Sequence, residues 1–101
     1  PAKGVYAVVV SCDDIEYGGV MNIGTNPTVT DDVSLKLEVN ILDFDEDIYG
    51  KTIQVSFIEY LRTEEKFSSV EALKHQMQID KNNSRAILET IFNNKITKAK
   101  N

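Results

Sequence analysis

The hydrophobic pattern of this chain changes period once, near Ser68. Upstream, apolar residues alternate. From Ser34 to Leu42, Leu35, Leu37, Val39 and Ile41 point one way and Lys36, Glu38 and Asn40 the other, the two-residue period of a strand with one buried face. Downstream, Val70, Leu73 and Met77 recur at helical spacing. Strands first and helices last exclude the alternating crossovers of a parallel sheet, so the expected class is α+β and mainly β. Several antiparallel strands from one short chain must close or be covered. A small barrel with helices packed on its side manages its edges best.

The segments follow from local signals. Gly4 to Ser11 is a β-branched run, and Cys12-Asp13-Asp14 reads as a hairpin turn into a strand from Ile15 to Ile23. Gly18-Gly19 within that strand suggests a bulge or the close approach of another backbone. Gly24 to Asp32 reads as a polar loop, of a length more often functional than shorter loops are. The acidic turn Asp43 to Asp47 precedes a last strand from Thr52 to Leu61. Ser68 and Glu71 fit a capping box for a helix to about Ile79, and Asp80 can cap a second helix from Lys81.

The 101 residues suit one domain, 1–101. Residues 93–101 carry Lys95, Lys98 and Lys100 without an acid and are expected to fray. A hydrophobic fraction of 42% argues against disorder, and a net charge of −5 against nonspecific nucleic-acid binding. One cysteine, Cys12, excludes an internal disulfide, and one histidine, His75, leaves no Cys/His zinc set. No apolar run nears the roughly 20 residues that span a bilayer, and no basic segment leads into an apolar one. The expectation is a cytoplasmic domain without a membrane partner. The start at Pro1-Ala2-Lys3 suggests an excised fragment.

Candidate chemistry is sparse. An EF-hand loop begun at Asp43 would need glycine at Ile48 and glutamate at Gln54, so the acids read as a solvated turn. His75 has no partner acid in view, and Cys12 no basic neighbour to lower its pKa. Glu38 is open to two readings: an outward surface carboxylate, or a general base held on a rigid strand at a barrel mouth.

Five segments in order carry a resemblance. They are Gly4-Val5-Tyr6-Ala7, Met21 to Thr28 (Met-Asn-Ile-Gly-Thr-Asn-Pro-Thr), Leu37 to Phe44 (Leu-Glu-Val-Asn-Ile-Leu-Asp-Phe), Asp47 to Lys51 (Asp-Ile-Tyr-Gly-Lys), and Tyr60 to Phe67 (Tyr-Leu-Arg-Thr-Glu-Glu-Lys-Phe). A serine-rich cap, Leu73, Gln76, Ile79 and Asp80 follow. From Gly4 to about Phe92 the chain resembles the riboflavin kinase module, usually the C-terminal half of a bacterial bifunctional riboflavin kinase/FAD synthetase.

The resemblance implies a six-stranded Greek-key barrel with two C-terminal helices, here incomplete at its N-terminus. It implies transfer of the γ-phosphoryl of ATP to the 5′-hydroxyl of riboflavin, giving FMN, with Mg²⁺. Glu38 matches the carboxylate that accepts the hydroxyl proton. Ile48, Tyr49 and Gly50 match the loop along the adenine nucleotide, Arg62 and Glu64 the segment closing over the flavin, and Gly24 to Asp32 a mobile flap. A fused FMN adenylyltransferase domain is the implied partner.

Two departures stand out. Asn40 replaces the histidine that often follows the glutamate by two residues. The Pro-Thr-Ala-Asn motif that holds Mg²⁺ and phosphates does not occur, since Pro27-Thr28 is followed by Val29. The chain by itself is therefore expected to be a weak or inactive kinase. The alternatives are a non-catalytic flavin- or nucleotide-binding barrel and a barrel serving protein contacts.

Overall fold

The computed structural model describes residues 2–27 and 33–100, with side chains for 2–25 and 34–92. Four strands precede one helix: β1 (Gly4–Cys12), β2 (Ile15–Pro27), β3 (Val33–Ile41), β4 (Gln54–Arg62) and α1 (Val70–Lys100). The strands form one antiparallel sheet in the order β3-β2-β1-β4. The β1–β2 hairpin turns on Asp13 and Asp14, at φ 51° and 64°. Two consecutive left-handed residues give the turn whose twist matches that of its strands.

Residues directly opposite one another in an antiparallel pair share a face. One face gathers Tyr6, Val8, Val10, Met21 and Ile23, with Val39, Ile41, Ile53 and Val55 packed against them. Tyr6 meets Phe57 and Tyr60 edge-on at 5.1 and 5.2 Å. The alternation expected along β3 is present, but only its second half is used. Val39 and Ile41 reach this core, whereas Leu35 and Leu37 stay 67% and 61% exposed.

The other face takes the helix. Val9, Leu42 and Leu88 form a second buried cluster, with Ile91 and Phe92 against it. Ser84, fully buried, donates its hydroxyl to the Gly19 carbonyl at 2.8 Å. A Cβ on Gly18 would stand 2.7 Å from Leu88 Cδ1. The double glycine thus admits α1, not a bulge, since the β1–β2 register runs through it without a break. The irregular pairings lie between β1 and β4, at Val5/Tyr6 and Ala7/Val8.

Four expectations need correction. The described residues hold four strands, so the six-stranded barrel is not seen in them; the mainly β, antiparallel class is. One helix replaces the expected two, because nothing between 70 and 100 is glycine or proline and Asp80 binds Arg62 and Gln76 side chains instead of a backbone end. The cap is Ser69, not Ser68: its Oγ accepts from the Ala72 N–H at 3.1 Å. The polar loop expected from Gly24 begins later, as β2 runs to Pro27, and residues 28–32 of it lie outside the described residues. The side chains of the expected tail also lie outside them.

Candidate functional site

Glu38 stands on the helix-facing side of β3, directly across from Asn22 on β2. Asn22 in turn pairs with Val5 on β1, and Val5 with Arg62 on β4. This transverse row crosses the whole sheet at one level, where α1 rises over it. Between sheet and helix lies a cavity of about 290 Å³, close to the size of a small ligand site. Its floor includes Val5 and Val20, which are 1% and 9% exposed. Its helix wall includes Leu73 and Met77, apolar side chains the protein itself leaves 39% and 38% exposed. Phe67 adds an aromatic ring and Glu38 stands on the lining, with Asn22 and Asn40 beside it.

Charge defines what could enter. Four carboxylates, Glu38, Glu64, Glu65 and Asp80, line the cavity against two cations, Arg62 and Lys81. Arg62 is already committed to Asp80 at 2.8 Å. The Asp80 hydrogen bond holds the Arg62 guanidinium above its ordinary pKa, against the opposing effect of partial burial. A net acidic cavity with apolar patches on its walls disfavours a phosphate group.

A smaller polar pocket of about 170 Å³ adjoins it, sharing Asn22, Glu38 and Glu64 and adding Gly24, Thr25 and Lys36. Lys36 and Glu38 pair at 2.9 Å, each more than half exposed. Such an open pair contributes at most about 1 kcal/mol, so it leaves Glu38 free to exchange partners. The carboxylate therefore sits between an apolar cavity and a pocket that carries a cation.

The structure brings together three of the six residues selected from the sequence: Glu38, Arg62 and Glu64 all line the cavity. Ile48, Tyr49 and Gly50 are not among its lining. Tyr49 is 96% exposed, and its N–H is held by Asp47 at 2.8 Å. Lys51 beside them is tethered to Asp13 at 2.6 Å, in the hairpin turn. That hairpin lies seven pairs along from the Val5–Asn22 pair, about 23 Å at the usual strand rise. Sequence reading missed Asn22 and Lys36, whose relation to Glu38 is a matter of register and could be found only after pairing β2 with β3. It also gave Asp80 the wrong task. Among the described residues, no group of three or more His, Cys, Asp or Glu is placed to hold a metal ion.

A four-stranded antiparallel sheet with a C-terminal helix over a carboxylate-bearing cavity defines an α+β domain, mainly β. The sequence places it more closely: the family described as "Flavokinase: Riboflavin kinase" matches residues 1–88, and the chain belongs to that family. It is 44% identical over 87 residues to a bifunctional riboflavin kinase/FMN adenylyltransferase of Pseudomonas fluorescens, covering 86% of this chain and 28% of that protein. The corresponding protein of Escherichia coli K12 is 43% identical over 86 residues, covering 84% and 27%. A Bacillus subtilis protein named RNA-binding riboflavin kinase RibR is 40% identical, covering 77% and 34%. A crystal structure described as a macrolide-efflux protein from Streptococcus pneumoniae superimposes with a TM-score of 0.78 at 38% identity, covering 84% of this chain and 28% of that one. The chain thus spans about a quarter to a third of the proteins it matches. No helix among the described residues is long and apolar enough to cross a membrane.

Proposed function

We propose that this chain supplies the flavin-holding part of an enzyme that phosphorylates riboflavin to FMN at the expense of ATP, within a bifunctional riboflavin kinase/FMN adenylyltransferase. The observation that carries the reading is Glu38 standing on the lining of a cavity whose helix wall, Leu73 and Met77, is left more than a third exposed. The isoalloxazine ring lies between sheet and helix, and the ribityl chain runs toward Glu38. The Glu38 carboxylate accepts the proton of the 5′-hydroxyl as its oxygen attacks the γ-phosphorus of ATP. The bond from that phosphorus to the bridging oxygen breaks, and ADP leaves. Phosphoryl transfer asks a protein chiefly for alignment and charge neutralisation, and Lys36 puts a cation beside Glu38 on the side away from the apolar wall.

Family resemblance assigns the adenine nucleotide to Ile48, Tyr49 and Gly50, and Arg62 and Glu64 to the flavin side. Gly50, at φ 82°, takes a backbone conformation that favours glycine and leaves its surroundings open. Mg²⁺ belongs to the chemistry by the same resemblance. The described His, Cys, Asp and Glu side chains form no ligand set for it.

The direct test uses the protein that carries this chain, with Mg-ATP and riboflavin, and separates flavins by chromatography. FMN formation with riboflavin held near Glu38 is the expected result. Riboflavin binding without FMN formation would instead favour a non-catalytic flavin-binding barrel.

A further inference from the structure

Arg62 ends β4, and Asp80 lies in α1, eighteen residues on. The guanidinium donates from Nε to Asp80 Oδ1 at 2.9 Å and from Nη2 to Oδ2 at 2.8 Å. This two-pronged geometry is one that arginine offers a carboxylate and lysine does not. Gln76, one turn earlier on the helix, adds a third donor to Oδ1 at 3.1 Å. The Asp80 side chain is 6% exposed and that of Arg62 20%. Nη1 donates to the Thr63 carbonyl at 3.0 Å, so all three guanidinium nitrogens are engaged. The guanidinium also lies over the Phe67 ring, 5.8 Å from its centroid.

Residues 63–67 have neither helical nor strand structure, yet Glu64, Glu65 and Phe67 line the cavity. The far end of the segment is fixed by the Ser69 cap of α1. The near end is fixed by Arg62, and Arg62 is held by the same helix through Asp80. Both ends of this wall are thus tied to α1.

We propose that Asp80 is a positioning residue for flavin binding, holding Arg62 so that the segment 63–67 stands as the wall of the cavity. The proposal rests on the cavity being the riboflavin site. Arg62 then acts mainly as a strut, because its fork is turned to Asp80 and away from the ligand.

The test compares Asp80→Asn, Arg62→Lys and the double variant in the protein that carries this chain. Riboflavin affinity is read by quenching of flavin fluorescence, and KM is measured separately for riboflavin and for ATP. Each single change should weaken riboflavin binding about tenfold or more and move the KM for ATP less than about threefold. The double variant should be no worse than the worse single one, because both break one contact. Asp80→Glu should recover part of what Asp80→Asn loses. Unchanged riboflavin affinity, or equal losses for both substrates, would overturn the proposal. If Asp80→Asn does not fold, Arg62→Lys, which breaks the same two-pronged contact while keeping the charge, carries the test, and unchanged riboflavin affinity there overturns it equally. Phe67→Ala and Met77→Ala probe the cavity itself. If they leave riboflavin affinity unchanged, the flavin site lies elsewhere and the proposal falls with it. If they weaken it while the Asp80 and Arg62 variants do not, the strut alone is disproved.

Discussion

Gly24 lies directly under the carboxylate of Glu64: a Cβ built on Gly24 would stand 2.6 Å from Glu64 Oε1. The segment after β4 folds back over β2 at a point where β2 has no side chain. Gly24→Ala should push the exposed, flexible Glu64 aside at little cost in stability, within about 1 kcal/mol. Its effect should appear as a several-fold rise in the KM for riboflavin. A variant with unchanged KM and unchanged melting temperature would show that the Glu64 position is immaterial to binding.

Glu38→Gln keeps size and hydrogen-bonding capacity but removes the carboxylate proposed as the proton acceptor. Loss of a general base typically costs about 10² to 10⁴ in rate. Turnover should fall in that range while riboflavin affinity, read by fluorescence, changes less than about threefold. Equal losses in rate and affinity would mark Glu38 as a binding group only.

Gly18 contrasts with Gly24 because its neighbour cannot move. Leu88 is 2% exposed, and its Cδ1 would lie 2.7 Å from a new Cβ. Gly18→Ala should therefore destabilise by about 1–3 kcal/mol through overpacking. Ser84→Ala, which leaves the Gly19 carbonyl without its 2.8 Å donor, should cost about 1–3 kcal/mol. Urea or thermal unfolding measures both, and a neutral Gly18→Ala would mean that α1 docks less closely than described.

The Arg62–Asp80 pair carries a definite pH dependence. The guanidinium pKa is raised in the folded protein, first by its hydrogen bond to Asp80. A raised pKa contributes stability that is complete below the unfolded value and is lost only as pH rises through the folded one. Both lie beyond the usable alkaline range, since free arginine titrates only above about pH 12. The melting-temperature difference between the wild type and Arg62→Leu should therefore not shrink between about pH 7 and about pH 10. A steady decline there would be at odds with a raised guanidinium pKa. Removing either partner of so buried a pair should cost about 3–5 kcal/mol.

Much of the local structure was legible in the chain. β-branched runs marked β1, alternation marked β3, and Asp13-Asp14 marked the hairpin, because backbone preferences and two-residue periodicity act over a few neighbours. The helix was harder. Asp80 looks like a cap in sequence because an aspartate can satisfy a helix end. Its real partners are Arg62 and Gln76, and the Arg62 contact crosses from helix to sheet. The double glycine was legible as a close approach, but the group that approaches, Leu88, comes from residues far along the chain.

The site divides along the same line. Sequence by itself determined the family, the α+β order and the candidacy of Glu38, since each depends on residue identity and order. It could not decide whether Glu38 faced solvent or a cavity, because alternation tells which residues share a face and not what covers that face. The tertiary structure puts it at the lining of a cavity while leaving its side chain more than half exposed. The β2–β3 register sets Asn22 across from Glu38, α1 roofs that level of the sheet, and the Arg62–Asp80 strut joins the far wall to the roof. Those relations depend on contacts distant in sequence, whose geometry no local pattern encodes.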